Sequence, residues 1–291
     1  MGVRRLSWFG VVCVCGLCFG AANAGGAGDV AAVLVGAGDI ASCGGKGAEA
    51  TAKLLDRIPG TIFTAGDNAY ERGTAEEYTN CYAPTWGRHK RRTHPVPGNH
   101  EYETAGAVGY FGYFGRAAGD TGKGYYSYTL GAWHVVALNS NIDMRPESAQ
   151  VRWLRADLAA HPARCTLAYW HHPRFSSGIT HGSSKDTGPL WQVLYVAGAD
   201  VVVAGHEHNY ERFAPQDTLG VADPAHGLRE FVVGTGGDSH YPLGPRRANS
   251  EVSNSTTFGV LKLTLEPAGY RWEFIPVAGK TFTDSGRRAC H

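Results

Sequence analysis

The sequence has almost no net charge and no apolar run that could cross a membrane. Its 291 residues include 27 Lys or Arg and 26 Asp or Glu, a formal net charge of +1. That balance gives no electrostatic reason to expect binding to nucleic acid or to an anionic membrane surface. The apolar stretch from Trp8 to Gly20 is too short and wrongly flanked for a membrane-spanning helix. The one dense basic run, residues 89–92, is predicted to be a solvated loop, or alternatively a rim that attracts phosphate.

Internal repeats and interdomain linkers are also lacking, whereas glycine and proline are abundant. The 40 Gly and 14 Pro are many for a helical protein, and they suit a fold with many strand ends and loops. A chain of this length can form one large domain with a deep core. We therefore expect a single domain over residues 25–291.

The N-terminal segment, residues 1–24, has the features of a secretory signal peptide. Arg4 and Arg5 precede the apolar stretch, and Ala22-Asn23-Ala24 matches a small-x-small cleavage site. These features predict export to the periplasm or the extracellular space, with no membrane attachment after cleavage. The residues do not decide between the general secretory route and the twin-arginine route.

Four cysteines remain once this segment is removed. An even number in an exported protein suggests two disulfides, which three pairings could satisfy. We favour Cys43–Cys81, because both residues lie in loops that follow polar turn segments, and Cys165–Cys290, which would fix the C-terminal tail to a predicted strand. The alternative is buried free thiols.

Strand and helix patterns alternate through the first two-thirds of the chain, and the last third is mostly strand. Amphipathic spacing predicts helices at 48–57, 146–160 and 190–197, and Thr74 with Glu77 fits a capping box. Apolar or alternating runs predict strands at 31–35, 61–64, 125–130, 133–138, 166–170, 200–204, 229–233, 258–265 and 270–275. This order predicts an α/β fold, a four-layer α/β/β/α sandwich of two mixed β-sheets.

Five short segments carry residue types that bind metal ions, next to turn-forming Gly or Pro. Several of them follow a predicted strand, and an α/β fold builds metal sites from ligands at strand ends along one edge of a sheet. Each segment alone could be a capping Asp or Asn or a hydrogen-bonded His, but the ordered set predicts a two-metal hydrolase. The segments are Gly38-Asp39, Gly66-Asp67-Asn68-Ala69-Tyr70, Gly98-Asn99-His100-Glu101, His171-His172-Pro173 and Gly205-His206-Glu207-His208.

Two neighbouring ions need a bridging carboxylate and separate ligands on each side. Asp67 is the natural bridge, because its segment lies between the other ligand segments and a carboxylate has two oxygens to share. A turn after Gly205 could aim His206 and His208 at adjacent ions.

These five segments resemble the calcineurin-like metallophosphoesterases and, among them, the purple acid phosphatases. The family pattern is GD, GDxxY, GNH[DE], a strand-borne His and GHxH, and all five parts occur here in order between Gly38 and about Arg212. Many family members have a metal-binding His two residues after the first Asp, but this chain has Ala41 there. Tyr70 can replace that His, and its phenolate oxygen favours Fe(III). In the purple enzymes the position of Ala41 is usually Gly.

The resemblance implies two metal ions, Fe(III) and a divalent Fe, Zn or Mn. It assigns Fe(III) to Asp39, Asp67, Tyr70 and His208. It assigns the divalent ion to Asp67, Asn99, His171 and His206.

Two further histidines resemble groups that face the substrate in the purple enzymes. His100 follows the ligand Asn99 and would hydrogen-bond the phosphate or protonate the leaving alkoxide. His181 lies ten residues after His171 in a polar loop, where a plain surface histidine is the alternative. We expect other nearby polar residues to support the ligands or to be solvated: His172, Glu101, Glu207, Glu211 and Arg212.

The predicted reaction is hydrolysis of a small phosphate monoester by a metal-bound hydroxide, with an acidic pH optimum because Fe(III) lowers the pKa of bound water. A phosphodiesterase or nucleotidase of the same superfamily is the first alternative, since specificity would lie in loops such as 102–116. An exported binding protein that keeps the fold without catalysis is the second. The residues do not define the physiological substrate, the second metal or the oligomeric state.

Overall fold

The computed structural model describes residues 1–8, 10 and 31–291. The predicted signal peptide and its cleavage site fall mostly outside these residues, so export stays a prediction. Among the described residues, no helix is both long and apolar enough to span a membrane.

Thirteen strands and six α-helices make up the regular structure of the described residues. The strands are β1 (Ala32–Ala37), β2 (Thr61–Ala65), β3 (Thr93–Val96), β4 (Tyr126–Leu130), β5 (Trp133–Ala137), β6 (Cys165–Tyr169), β7 (Val201–Ala204), β8 (Tyr210–Phe213), β9 (Arg229–Val233), β10 (Ser250–Asn254), β11 (Gly259–Glu266), β12 (Gly269–Pro276) and β13 (Asp284–Ala289). The helices are α1 (Gly47–Leu55), α2 (Ala75–Glu77), α3 (Asn99–Tyr102), α4 (Val108–Phe114), α5 (Ala149–Ala160) and α6 (Gly188–Val196).

The strands form two mixed sheets, as the sequence predicts. One has the order β13-β12-β11-β1-β2-β3 and the other β10-β8-β9-β7-β6-β5-β4. β1, β2 and β3 run parallel in the first sheet, and β5, β6, β7 and β9 run parallel in the second. The carboxyl ends of parallel strands lie at the same edge of a sheet, which brings the loops that follow them together.

The two sheets pack face to face around a core that draws apolar residues from both. Phe63 of the first sheet contacts Tyr169 of the second, with ring centroids 5.7 Å apart. A second cluster, including Leu154 and Leu194, lies between the second sheet and helices α5 and α6. Each fully buried large side chain contributes roughly 1.5–3 kcal/mol to folding. The layers therefore give the expected α/β/β/α sandwich.

Both favoured disulfides are present. Cys43 pairs with Cys81, with Cα atoms 4.9 Å apart, and Cys165 pairs with Cys290, with Cα atoms 5.6 Å apart. The second disulfide joins β6 to the residue that follows β13, so it links the two sheets.

Helix α5 begins three residues later than its sequence pattern predicts. Ser148, not Pro146, marks the start, because its hydroxyl accepts a hydrogen bond from the Val151 N–H at 3.2 Å. The predicted capping box of Thr74 and Glu77 is present at the short helix α2.

The basic run at residues 89–92 is helical and not a loop, although Lys90 and Arg91 are exposed as the solvated interpretation expects. It ends a 3₁₀ helix, Trp86–Arg92. The Arg92 guanidinium donates to the Leu55, Ile58 and Gly60 carbonyls and so satisfies the end of α1.

The segment 102–116, expected to be a loop, is largely helical. It holds the end of α3, a 3₁₀ turn and all of α4. Tyr110 and Phe114 of α4 are buried among neighbouring aromatic rings, so the segment contributes to the core.

Candidate metal centre

All seven predicted metal ligands lie at one edge of the two sheets. Asp39, Asp67 and Asn99 follow the carboxyl ends of β1, β2 and β3 in the first sheet. His171 and His206 follow β6 and β7 in the second. The remaining two ligands, Tyr70 and His208, come from the turn after Asp67 and from the residues just before β8.

A first group of donors surrounds the Tyr70 hydroxyl. This oxygen lies 3.1 Å from Asp39 Oδ1, 3.2 Å from Asp67 Oδ2 and 3.2 Å from His208 Nε2. His208 Nε2 is also 3.2 Å from Asp39 Oδ1. The four predicted ligands of the first ion therefore converge on one point.

A second group surrounds His171 Nε2. This nitrogen lies 3.0 Å from Asn99 Oδ1, 3.1 Å from His206 Nδ1 and 3.1 Å from Asp67 Oδ2. These are the four predicted ligands of the second ion, and Asp67 Oδ2 belongs to both groups.

The donor sets fit metal ions. Ligand atoms bound about 2.0–2.2 Å from one ion lie roughly 3 Å apart, which is the separation found in both groups. The set combines carboxylate, phenol, amide and imidazole donors, which suit first-row transition metals. In neutral His171, whose Nδ1 donates to the Ala65 carbonyl at 2.8 Å, Nε2 is an acceptor that faces the acceptor oxygens of Asn99 and Asp67, and a cation would give all three atoms a shared partner.

The site places several acidic groups close together in the protein interior, where negative charge is poorly solvated. Burial raises the pKa of Tyr70 well above its usual range, and the Asp39 and Asp67 carboxylates raise it further. Burial opposes ionisation of Asp67, but the charge and hydrogen bond of His171 outweigh it and lower the pKa of Asp67. A bound cation would offset this charge, so the electrostatics agree with the geometry.

The backbone at three predicted ligands adopts a conformation that side chains rarely take. Asp39, Asp67 and His206 have φ angles of 61°, 49° and 71°. A left-handed backbone at a residue other than glycine costs roughly 1–2 kcal/mol, and such strain is concentrated at functional sites. Gly98 is required for close packing, because a Cβ there would overlap the Asp67 carboxylate.

His100 lies beside the first group of donors without joining it. Its backbone N–H donates to Asp67 Oδ1 at 2.9 Å, its Nδ1 contacts the Glu71 carbonyl, and its Nε2 is 3.9 Å from Asp67 Oδ2. The side chain is 26% exposed, so the imidazole lies between the donor group and solvent.

His181 lies on the solvent side of the second group. Its ring stacks on His206, with centroids 4.1 Å apart and planes at 29°. The residue is exposed. His172 packs against the other side of the group, with its ring 4.4 Å from that of His206 and its Nδ1 2.8 Å from the Ser140 hydroxyl. Burial lowers the pKa of His172 to about 3, so it is neutral beside the ligands.

Sequence reasoning missed the residues 238–241, which support His208. The Ser239 hydroxyl lies 2.7 Å from His208 Nδ1 and donates to Asp238. The Tyr241 ring stacks on His208 with centroids 3.8 Å apart, and burial raises the pKa of its hydroxyl to about 12. These contacts fix the imidazole orientation, which is how residues behind a ligand tune it. The glycine-rich turn at 234–237 is the only local sequence signal for them.

Glu101 is a supporting residue, one of the two alternatives that the sequence left open for it. Its carboxylate is fully buried and accepts hydrogen bonds from the backbone N–H groups of Asp67, Asn68, Ala69 and Gly98 and from the Tyr78 hydroxyl, at 2.6–3.3 Å. Glu207, Glu211 and Arg212 are also buried, so none of the four is solvated.

Comparison with known sequences identifies related proteins. The calcineurin-like phosphoesterase family model matches residues 28–210. Probable purple acid phosphatase 20 of Arabidopsis thaliana is 29% identical over 68% of this chain and 52% of its own length. Purple acid phosphatase 15 of the same plant is 30% identical over 55% of this chain and 37% of its length. The chain thus spans about half or less of these curated relatives.

Comparison with solved structures supports the fold. Purple acid phosphatase PPD1 from yellow lupin seeds superposes with a TM-score of 0.73 at 19% identity, covering 90% of this chain and 54% of that one. GAP50, the anchor in the inner membrane complex of Plasmodium, gives a TM-score of 0.69 at 16% identity and covers 90% of both chains. At these identities the likeness establishes the fold and nothing finer.

Proposed function

Because this chain belongs to the calcineurin-like phosphoesterase family, we propose that it is an exported acid phosphatase of the purple type, acting on small phosphate monoesters. The observation that carries the proposal is the position of Asp67 Oδ2, which lies within 3.1–3.2 Å of donors from both ligand groups. A carboxylate oxygen shared in this way is what a two-metal centre requires.

The residues suggest a different metal for each group. Tyr70 offers a hard, anionic oxygen to the first group, so we assign Fe(III) to Asp39, Asp67, Tyr70 and His208. The second group lacks a phenolate and combines imidazole and amide donors, so we assign divalent Fe, Zn or Mn to Asp67, Asn99, His171 and His206. When bound, the ions supply Lewis-acid activation of water and neutralise charge on the phosphate.

The chain's own residues then orient the ester and move a proton. His100 and His181 lie on two sides of the ligand groups, where their imidazoles can hydrogen-bond phosphate oxygens. We assign proton donation to the leaving oxygen to His100, because its Nε2 lies 3.9 Å from Asp67 Oδ2 and its side chain is partly exposed. Tyr241 and His172, both partly buried, pack against His208 and His206 and hold these imidazoles in place.

The two disulfides and the signal-like residues 1–24 support export. N-terminal sequencing of the mature protein, which should begin at Gly25, checks this part of the proposal.

Paired substrates test the activity. The metal-loaded protein should hydrolyse an aryl phosphate monoester with kcat/KM at least about tenfold higher than the matching bis-aryl diester, a difference of about 1.4 kcal/mol in transition-state binding. The reverse order would favour the phosphodiesterase alternative. If the protein hydrolyses neither ester, the result would favour the alternative of an exported binding protein without catalytic activity.

A further inference from the structure

The loop that carries His181, residues 173–184, lies over three buried glutamates in or next to strands of the second sheet. We call this segment the His181 loop. Glu230 belongs to β9, Glu211 to β8, and Glu207 lies between the predicted ligands His206 and His208. All three side chains are fully buried, although isolated buried carboxylates are costly unless they are hydrogen-bonded.

Each glutamate accepts hydrogen bonds from backbone N–H groups of the His181 loop. Glu230 accepts from Arg174 at 2.7 Å and from Phe175 at 3.0 Å, at the start of the loop. Glu211 accepts from Ser177 at 2.7 Å, in the middle. Glu207 Oε1 accepts from His181 at 2.7 Å and also from Gly182, at the tip. The three glutamates thus hold the start, middle and tip of the loop, and backbone hydrogen bonds also join Ser177 and Ile179 to residues 242–244.

The attachment by Glu207 is closest to the metal centre. His206 and His208 direct their imidazoles into the two ligand groups. Glu207, between them in the chain, directs its carboxylate to the His181 loop. Gly178 allows the close approach, because a Cβ at that position would overlap the Glu207 carboxylate. Ile179 and Thr180, between these contacts, are exposed and bury little apolar surface. Hydrogen bonds to a charged acceptor contribute about 1.5–3 kcal/mol each, so Glu207 can fix the loop tip.

We propose that Glu207 is a positioning residue for substrate binding: its carboxylate holds the backbone of His181 and Gly182 so that the His181 imidazole stays stacked over His206. Glu207 itself does not touch substrate. The inference rests on the proposed function, because the position of His181 matters only if a phosphoester binds at this centre.

A double-mutant cycle tests the link between the two residues. Glu207→Gln keeps the size of the side chain but removes its charge, and we expect kcat/KM to fall about tenfold, mainly through a higher KM. In the His181→Ala background the same substitution should change kcat/KM by less than about twofold. An equal loss in both backgrounds would overturn the proposal, as would loss of bound metal in Glu207→Gln, since that effect would run through His206 and His208.

Hydrogen exchange gives a readout that needs no activity. The His181 and Gly182 amides should exchange at least about tenfold faster in Glu207→Gln than in the wild type. The matched control Glu211→Gln should speed exchange at Ser177 and leave these two amides unchanged. Unchanged exchange in Glu207→Gln, or equal effects of both variants at His181, would contradict the assignment. If the wild type hydrolyses neither ester the proposed function fails, while the exchange data still decide whether Glu207 holds the loop.

Discussion

Buried glutamates hold two regions of the site, and the two regions differ in what they present to solvent. Glu101 collects four backbone N–H groups and a hydroxyl around the turns that carry Asp67, Tyr70 and Asn99. Asp67 and Tyr70 are almost completely buried. Glu207 collects two N–H groups of the His181 loop, and His181 itself is exposed.

This contrast suggests a division of roles. The region around Glu101 holds predicted ligand atoms that lie about 3 Å apart, a spacing that the proposed metal centre would require to be kept. Under the proposed function the His181 loop would face the substrate, where variation in side chains would change specificity without disturbing the metal ligands. In both regions a glutamate carboxylate accepts hydrogen bonds from backbone N–H groups, which fixes the course of the chain and leaves the other side chains free for chemistry.

Substitution of Glu101 should produce the larger effect. In the wild type each carboxylate oxygen of Glu101 accepts at least two hydrogen bonds. In Glu101→Gln an NH₂ group replaces one of these oxygens, and this group would face donors and could not accept from them. We expect affinity for the bound metals to fall about 10–100-fold. Metal content measured after dialysis against graded chelator concentrations checks this.

The surface variant Glu266→Gln is the matched control, since its carboxylate pairs with Arg271 at the protein surface. Equal metal retention in the Glu101 and Glu266 variants would remove the distinction between the two regions.

Glu230 should have a smaller effect, on stability as a function of pH. Burial raises its pKa from 4.5 to about 8, so the folded state binds its proton more tightly than the unfolded state does. The contribution of this group to stability is therefore fully present below pH 4.5 and is lost as the pH rises through about 8. In Glu230→Gln this part of the pH dependence should disappear, giving a flatter profile of Tm between pH 5 and 8, a range set by the two pKa values.

Thermal unfolding of both proteins across this range measures the difference. The wild type should lose Tm relative to the variant as the pH rises. Parallel profiles would show that Glu230 does not hold its proton in the folded protein.

Much of the fold was predictable because most strands bury apolar side chains. The four strands that the sequence pattern missed are β3, β8, β10 and β13. Three of them, β3, β10 and β13, are sheet edges, where one side is not paired and polar residues or Pro95 are tolerated. The fourth, β8, buries Glu211 and Arg212, so it lacks an apolar run.

The predicted ligands converge because most of them directly follow strands that end at one edge of the sheets. Short sequence motifs contain these residues, so the ligands could be predicted from the sequence. The supporting glutamates are harder to predict, since their partners are backbone groups that carry no sequence signature. Glu230 lies 56 residues from Arg174, whose N–H it accepts, and only the topology of the second sheet brings them together. Ser239 and Tyr241 contact the His208 side chain, but they too lie in a distant segment that only the fold brings to this ligand.

The central claim is that Tyr70 binds Fe(III) in a two-metal centre, and metal analysis combined with a visible spectrum tests it most directly. The purified protein should hold two metal ions per chain, at least one of them iron, and show a broad visible absorption band from phenolate-to-iron charge transfer. Tyr70→Phe should abolish the band per bound iron. A colourless wild-type protein holding only Zn or Mn, or a band that survives in Tyr70→Phe, would contradict the account.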